Sequence, residues 1–84
     1  VAVKVTVRYF AAARAAAGFE DEIIGVAPGT TVGTLVQSLG ERDAELAKVL
    51  SRCSYLCDGI AVRDFGLTLN DDPTVDVLPP FAGG

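Results

Sequence analysis

Valine stands at every odd position of the first seven residues, and small or polar side chains fill the gaps: Val1-Ala2-Val3-Lys4-Val5-Thr6-Val7-Arg8-Tyr9. Alternation of period two fits a chain whose successive side chains point to opposite sides, so residues 1–9 predict a half-buried β-strand. Its valine face needs a cover. The cover is expected from Val32 to Leu39, where Val32, Leu35, Val36 and Leu39 recur at the spacing of one helix face. Thr30 or Thr31 is placed to cap that helix and Gly40 to stop it.

Between these two, Phe10 to Gly18 is alanine-rich but short, which predicts a turn or two of helix or a compact loop ended by Gly18. Glu20 to Ala27 reads as a second strand with Ile23, Ile24 and Val26 as its apolar content, closed by the Pro28-Gly29 turn. Asp43 can cap a shorter helix running to about Arg52, with Leu46, Val49 and Leu50 inward and Lys48 and Arg52 favouring its C-terminal end. Ser54 to Cys57 and Ile60 to Arg63 flank Asp58-Gly59, a hairpin signal. An irregular stretch runs to Leu69, Asn70 to Pro73 forms a polar turn, and Thr74 to Leu78 is a last strand with Val75, Val77 and Leu78 as buried candidates. Two strands, a main helix, then more strands predict an α+β domain over residues 1–78, with the helix across one sheet face. Lys4, Thr6 and Arg8 fall on the other face, a candidate docking surface.

Composition excludes several chemistries. The 84 residues contain no His, Met or Trp, which removes His-centred acid–base catalysis and His-bearing metal sites. Seven Lys and Arg against eleven Asp and Glu give a net charge of −4, the wrong sign for binding nucleic acid. An acidic chain suits partners with basic docking surfaces. The longest apolar run, Tyr9 to Ala13, is far below the roughly 20 residues of a membrane span, and no leader opens the chain, so a cytoplasmic location is expected. Cys53 and Cys57 have neither the partners of a zinc site nor the redox spacing, and read as small buried residues with reduced thiols; nothing in their spacing supports sulfur transit through either.

The chemistry is expected in the tail, residues 79–84, Pro79-Pro80-Phe81-Ala82-Gly83-Gly84. The prolines cannot extend a sheet ladder, so the chain leaves the last strand stiff and extended. Its six residues reach about 20 Å, far enough to enter another protein's active site. Glycines without Cβ pass a narrow channel. The reactive group is then the Gly84 carboxylate, which becomes an acylating agent once joined to AMP; a sulfur nucleophile displacing AMP leaves a thiocarboxylate. Catalytic groups, ATP and magnesium belong to the activating partner, and no cofactor is expected on this chain, which lacks a phosphate-binding glycine loop and a nucleophile–base pair.

With these features in view, the sequence resembles the ubiquitin-like β-grasp sulfur carriers, most of all the small subunits of molybdopterin synthase. The resemblance rests on Val7-Arg8-Tyr9-Phe10-Ala11-Ala12-Ala13-Arg14 with Gly18, on Gly29-Thr30-Thr31-Val32 with Leu35, on Asp58-Gly59, on Asp64 with Leu67, and on Val75 through Gly84. It implies a mixed sheet of about five strands with one main and one short second helix. It also implies adenylation of Gly84 by an E1-like adenylyltransferase, thiocarboxylate formation by a sulfur-transfer protein, and insertion into a large synthase subunit. There the sulfur goes to a pterin precursor, within a heterotetramer of two small and two large subunits. Phe81 and Ala82 stand where family members commonly carry a small residue or Val, and Ser. Carriers for thiamine thiazole or cysteine synthesis share the glycine tail; the Phe10-to-Arg14 segment and the Pro-Pro-aromatic approach favour the pterin branch. A protein modifier, joined through Gly84 to lysines, and a plain interaction module are the other readings. Tyr9, Phe10 and Phe81 are candidate docking aromatics.

Overall fold

The computed structural model describes residues 2–80. Along the chain run β1 (Val3–Tyr9), α1 (Ala11–Ala17), β2 (Asp21–Val26), α2 (Val32–Glu41), α3 (Ala44–Leu50), β3 (Ser54–Cys57), β4 (Ile60–Ala61) and β5 (Thr74–Leu78). The five strands form one mixed sheet in the order β2-β1-β5-β3-β4, with β1 and β5 parallel and the other pairs antiparallel. This is the ubiquitin-like β-grasp arrangement, in which the alanine-rich segment takes the helical alternative as α1, beside the main helix α2 and the short helix α3.

The valine alternation does what its period requires. Val5, Val7 and Tyr9 are buried, while Lys4 and Arg8 are exposed on the opposite face. The central strands add Val75, Val77 and Tyr55 to the buried face, and α2 covers it with Val32, Leu35 and Leu39. Thr31 is the cap of α2, its hydroxyl accepting from the Thr34 amide at 3.2 Å, and Asp43 caps α3 through the Glu45 amide at 2.8 Å. Asp58 and Gly59 both have positive φ, 51° and 83°, as a tight hairpin turn between right-twisted strands demands.

Three expectations are corrected. Gly40 does not end α2, which continues to Glu41. Gly40 lies at the contact between α2 and α3, where a Cβ would meet the Ala47 methyl at 3.4 Å, an ordinary van der Waals distance. Helix α3 ends at Leu50, short of Arg52, through two further turn bonds from Arg52 to Val49 and Cys53 to Leu50. In β2, where neighbours face opposite ways, Ile24 packs inward and Ile23 is 71% exposed. Leu78 is only half-buried. The stretch before β5 is irregular because it serves α2: the carbonyls of Leu67 and Phe65 accept the Val32 and Gly33 amides, both at 2.9 Å, and Leu69 plugs the core.

Candidate functional site: the base of the tail

The tail issues from β5, the middle strand of the sheet, held in parallel pairing to β1 and antiparallel pairing to β3. Pairing on both flanks runs as far as Val77, and Leu78 still pairs with Ser54 of β3. The Phe10 amide also donates to the Val77 carbonyl at 3.3 Å, tying the end of β1 to the last turn of ladder before the tail. Pro79 is half-buried and Pro80 exposed. Phe81, Ala82, Gly83 and Gly84 lie outside the described residues.

On the outer face the base is braced by an ion pair. Arg8 and Asp76 face each other across the parallel ladder, and the guanidinium donates twice to the carboxylate, Nε to Oδ1 at 2.6 Å and a terminal nitrogen to Oδ2 at 2.9 Å. Asp76 is only 6% exposed, so it holds its place in the sheet because both its oxygens are satisfied. Hydrogen bonding to Asp76, then the charge of that carboxylate, raises the Arg8 pKa further. The same guanidinium carbon lies 5.6 Å from the centre of the Phe10 ring. Phe10, 38% exposed, stands beside the tail base as a surface aromatic.

On the helix side the base borders a groove of about 420 Å³ lined by Ala12, Lys48, Val49, Ser51, Arg52, Pro79 and Pro80. The turn that carries α1 here uses Ala11 at φ 51°, and Gly18 ends α1 at φ 90° with its amide bonded to the Arg14 carbonyl. Of the sequence candidates, Pro79, Pro80 and Phe10 come together at one end of the sheet. Tyr9 does not: it is 1% exposed, and its hydroxyl donates to Glu22 at 2.6 Å inside the molecule. Burial, then that bond, raises its pKa far above the ordinary 10.0. Cys53 and Cys57 are half-buried, and burial raises both thiols, away from thiolate chemistry. Cys53 donates to the Val49 carbonyl at 3.1 Å.

Asp76, Lys48 and Arg52 were absent from the sequence candidates for this site. Asp76 had a usable signal, a lone acid among inward valines, on the face where Arg8 was already assigned. Lys48 and Arg52 were read only as helix-end charges, since no local pattern places them against residues thirty positions away. Among the described residues, no helix is long and apolar enough to cross a membrane.

A family model described as the ThiS family matches residues 7–84. No curated sequence matches the chain. Among solved structures, the putative molybdopterin converting factor subunit 1 of Pyrococcus furiosus is 28% identical, with a TM-score of 0.84 over 94% of this chain and 99% of that one. Small archaeal modifier protein 1 of Methanosarcina acetivorans is 24% identical, at a TM-score of 0.82 over 100% of this chain and 99% of its own. The complex of subunits 1 and 2 of molybdopterin-converting factor from Helicobacter pylori contains a chain 21% identical, at a TM-score of 0.72, covering 98% of this chain and 100% of that one.

Proposed function

The chain belongs to the ThiS family, and on that footing we propose that it is a sulfur carrier for molybdenum-cofactor synthesis, acting through the carboxylate of Gly84. The observation that carries the reading is the match of the family model through β5 and the tail to residue 84. The exit of that tail from the central strand beside Phe10 supports it. The likeness to a molybdopterin converting factor subunit 1 favours the pterin branch.

In the first step the Gly84 carboxylate attacks the α-phosphorus of ATP, held with magnesium by an E1-like adenylyltransferase, and pyrophosphate leaves. Hydrosulfide delivered by a sulfur-transfer protein then attacks the acyl carbon. The bond to AMP breaks, and a thiocarboxylate remains with no change in sulfur oxidation level. Within a large synthase subunit, the thiocarboxylate sulfur attacks a carbon of the pterin precursor as an oxygen substituent leaves that carbon, and water then cleaves the resulting acyl–sulfur bond, leaving the sulfur on the precursor and returning the carboxylate. This chain supplies the reach and the docking, through Pro79, Pro80, Phe81, Ala82, Gly83 and Gly84; the partners supply the catalysis. The assembly we infer pairs two small with two large subunits; the complex of subunits 1 and 2 in the Helicobacter protein supports the pairing with a large subunit. A cytoplasmic setting keeps Cys53 and Cys57 reduced.

Mass spectrometry tests this. Incubated with the adenylyltransferase, ATP and a sulfur source, the intact chain should gain the mass difference between sulfur and oxygen, and that species should convert the pterin precursor with the large subunit. One extra residue after Gly84, or its deletion, should abolish both with the fold intact. Transfer only to a thiazole or cysteine acceptor would move the protein to another sulfur pathway. The likeness to a small archaeal modifier favours a second reading, in which activated Gly84 forms an isopeptide bond with lysine. Gly-Gly remnants on cellular lysines would support it.

A further inference from the structure

Charge on this chain is sorted along β5. At the start of the strand lie acids: Asp71 and Asp72 precede it in the polar turn, and Asp58 accepts the Thr74 amide at 2.9 Å. At its exit lie cations, Lys48 and Arg52, which line the same groove as Pro79 and Pro80. No acidic side chain lines that groove among the described residues. Lys48 has one ion pair, to Glu45 at 3.7 Å with both side chains 76% exposed, a contact too solvated to neutralise it. Arg52 makes no ion pair among the described residues. Ser51 is already engaged, its hydroxyl donating to the Lys48 carbonyl at 2.7 Å.

The groove therefore combines apolar lining, Ala12 and Val49, with two cations at the root of the tail. A tail of six residues spans about 20 Å when extended, so a protein that takes its end into a channel must close on its root. We propose that this groove receives an acidic segment, flanked by apolar side chains, at the mouth of the tail channel of the adenylating enzyme. The inference rests on the sulfur-carrier reading and deepens it by giving the partner's docking surface a sign. That sign is opposite to the one the net charge of −4 suggests. Local charge at the contact steers and orients encounter, while distant acids are screened beyond about 8–10 Å at physiological salt.

Reversing both cations separates the two signs. The double variant Lys48→Glu, Arg52→Glu carries a net charge of −8, from −4 with two changes of −2 each. Binding to the purified E1-like adenylyltransferase of the same organism, measured by calorimetry at low and high salt, should weaken by about tenfold or more. The salt dependence should shrink. The gentler pair Lys48→Ala, Arg52→Ala, which avoids repulsion with Glu45, should weaken binding by about threefold to fivefold. Unchanged or tighter binding by either variant overturns the proposal, because a basic surface would welcome the added negative charge. Deleting Gly83 and Gly84 supplies a further arm. If the deletion abolishes the effect of the alanine pair, the groove holds the chain's own terminus and the proposal fails. Pyrophosphate release by the unaltered chain reads the sulfur-carrier proposal separately: binding without release sinks that reading and leaves the groove to the calorimetry. No binding by the unaltered chain overturns the groove as well.

Discussion

Residues 8 and 9 are neighbours in β1 and organise two clusters of the same ingredients on opposite faces of the sheet. Arg8 binds Asp76 and stacks near Phe10 on the outer face; Tyr9 binds Glu22 on the inner face, and Glu22 in turn takes Arg42 at 3.0 Å through both carboxylate oxygens. Each has an arginine, a carboxylate and an aromatic ring. They differ in which member is buried. In the inner cluster the aromatic is buried and the arginine reaches it from the end of α2, so the cluster locks β2 and α2 over the core. In the outer cluster the carboxylate is buried and the aromatic stands 38% exposed beside the tail, so the cluster shapes a surface. The contrast teaches that one strand can assign folding to one face and docking to the other at successive residues.

The largest break is at Tyr9. Tyr9→Ala empties a fully enclosed ring site and should destabilise the protein by about 3–5 kcal/mol in chemical denaturation. Tyr9→Phe keeps the ring and leaves Glu22 bonded to Arg42, so its cost should be only about 1 kcal/mol. A Tyr9→Ala cost no larger than that of Tyr9→Phe would show that the ring is not part of the core.

A second test uses alkaline pH. Burial raises the Tyr9 and Tyr55 phenols well above 10.0, with the Glu22 bond adding to Tyr9. Above pH 10.0 the unfolded chain therefore releases these protons while the folded chain keeps them. Their contribution is complete below that pH and is lost as pH rises through it toward the folded values. The expected slope is up to about 1.4 kcal/mol per pH unit for each tyrosine. Tyr9→Phe should remove one tyrosine's share. The outer pair should add nothing in this range, because Arg8 keeps its charge. An unchanged slope in Tyr9→Phe would show that Tyr9 titrates alike in both states.

How much of this could be read beforehand follows from the range of each interaction. The valine alternation, the Asp58-Gly59 turn, the Thr31 and Asp43 caps and the spacing of Val32, Leu35 and Leu39 are encoded within a few residues, and all appear where expected. Gly40 deceived because a glycine at a helix end and one at a helix crossing look alike until Ala47 is placed against it. Leu69 gave no periodic signal because its burial depends on a loop bonding to the start of α2. At the candidate site, the tail and Phe10 were legible as chemistry. Asp76 with Arg8, and Lys48 and Arg52 with the prolines, join residues distant in sequence and needed the fold.

The smallest expected change in stability is at Phe10, and it most sharpens the contrast between the faces. The ring is more than a third exposed and its contact with Arg8 is a solvated cation–π pair, worth about 0.5–1 kcal/mol. Phe10→Ala should therefore shift denaturation by about that amount, far less than Tyr9→Ala at the adjacent residue. Asp76 still accepts from two of the three guanidinium nitrogens, so the tail base should hold its place. Yet the same truncation removes the large exposed aromatic beside the tail, and exposed aromatics at the centre of a contact carry much of its energy. Affinity for the adenylyltransferase should fall by about tenfold or more while the fold persists. If stability and affinity fall in the proportion seen for Tyr9→Ala, the outer face is only another part of the scaffold. A loss of affinity at near-native stability assigns it to docking.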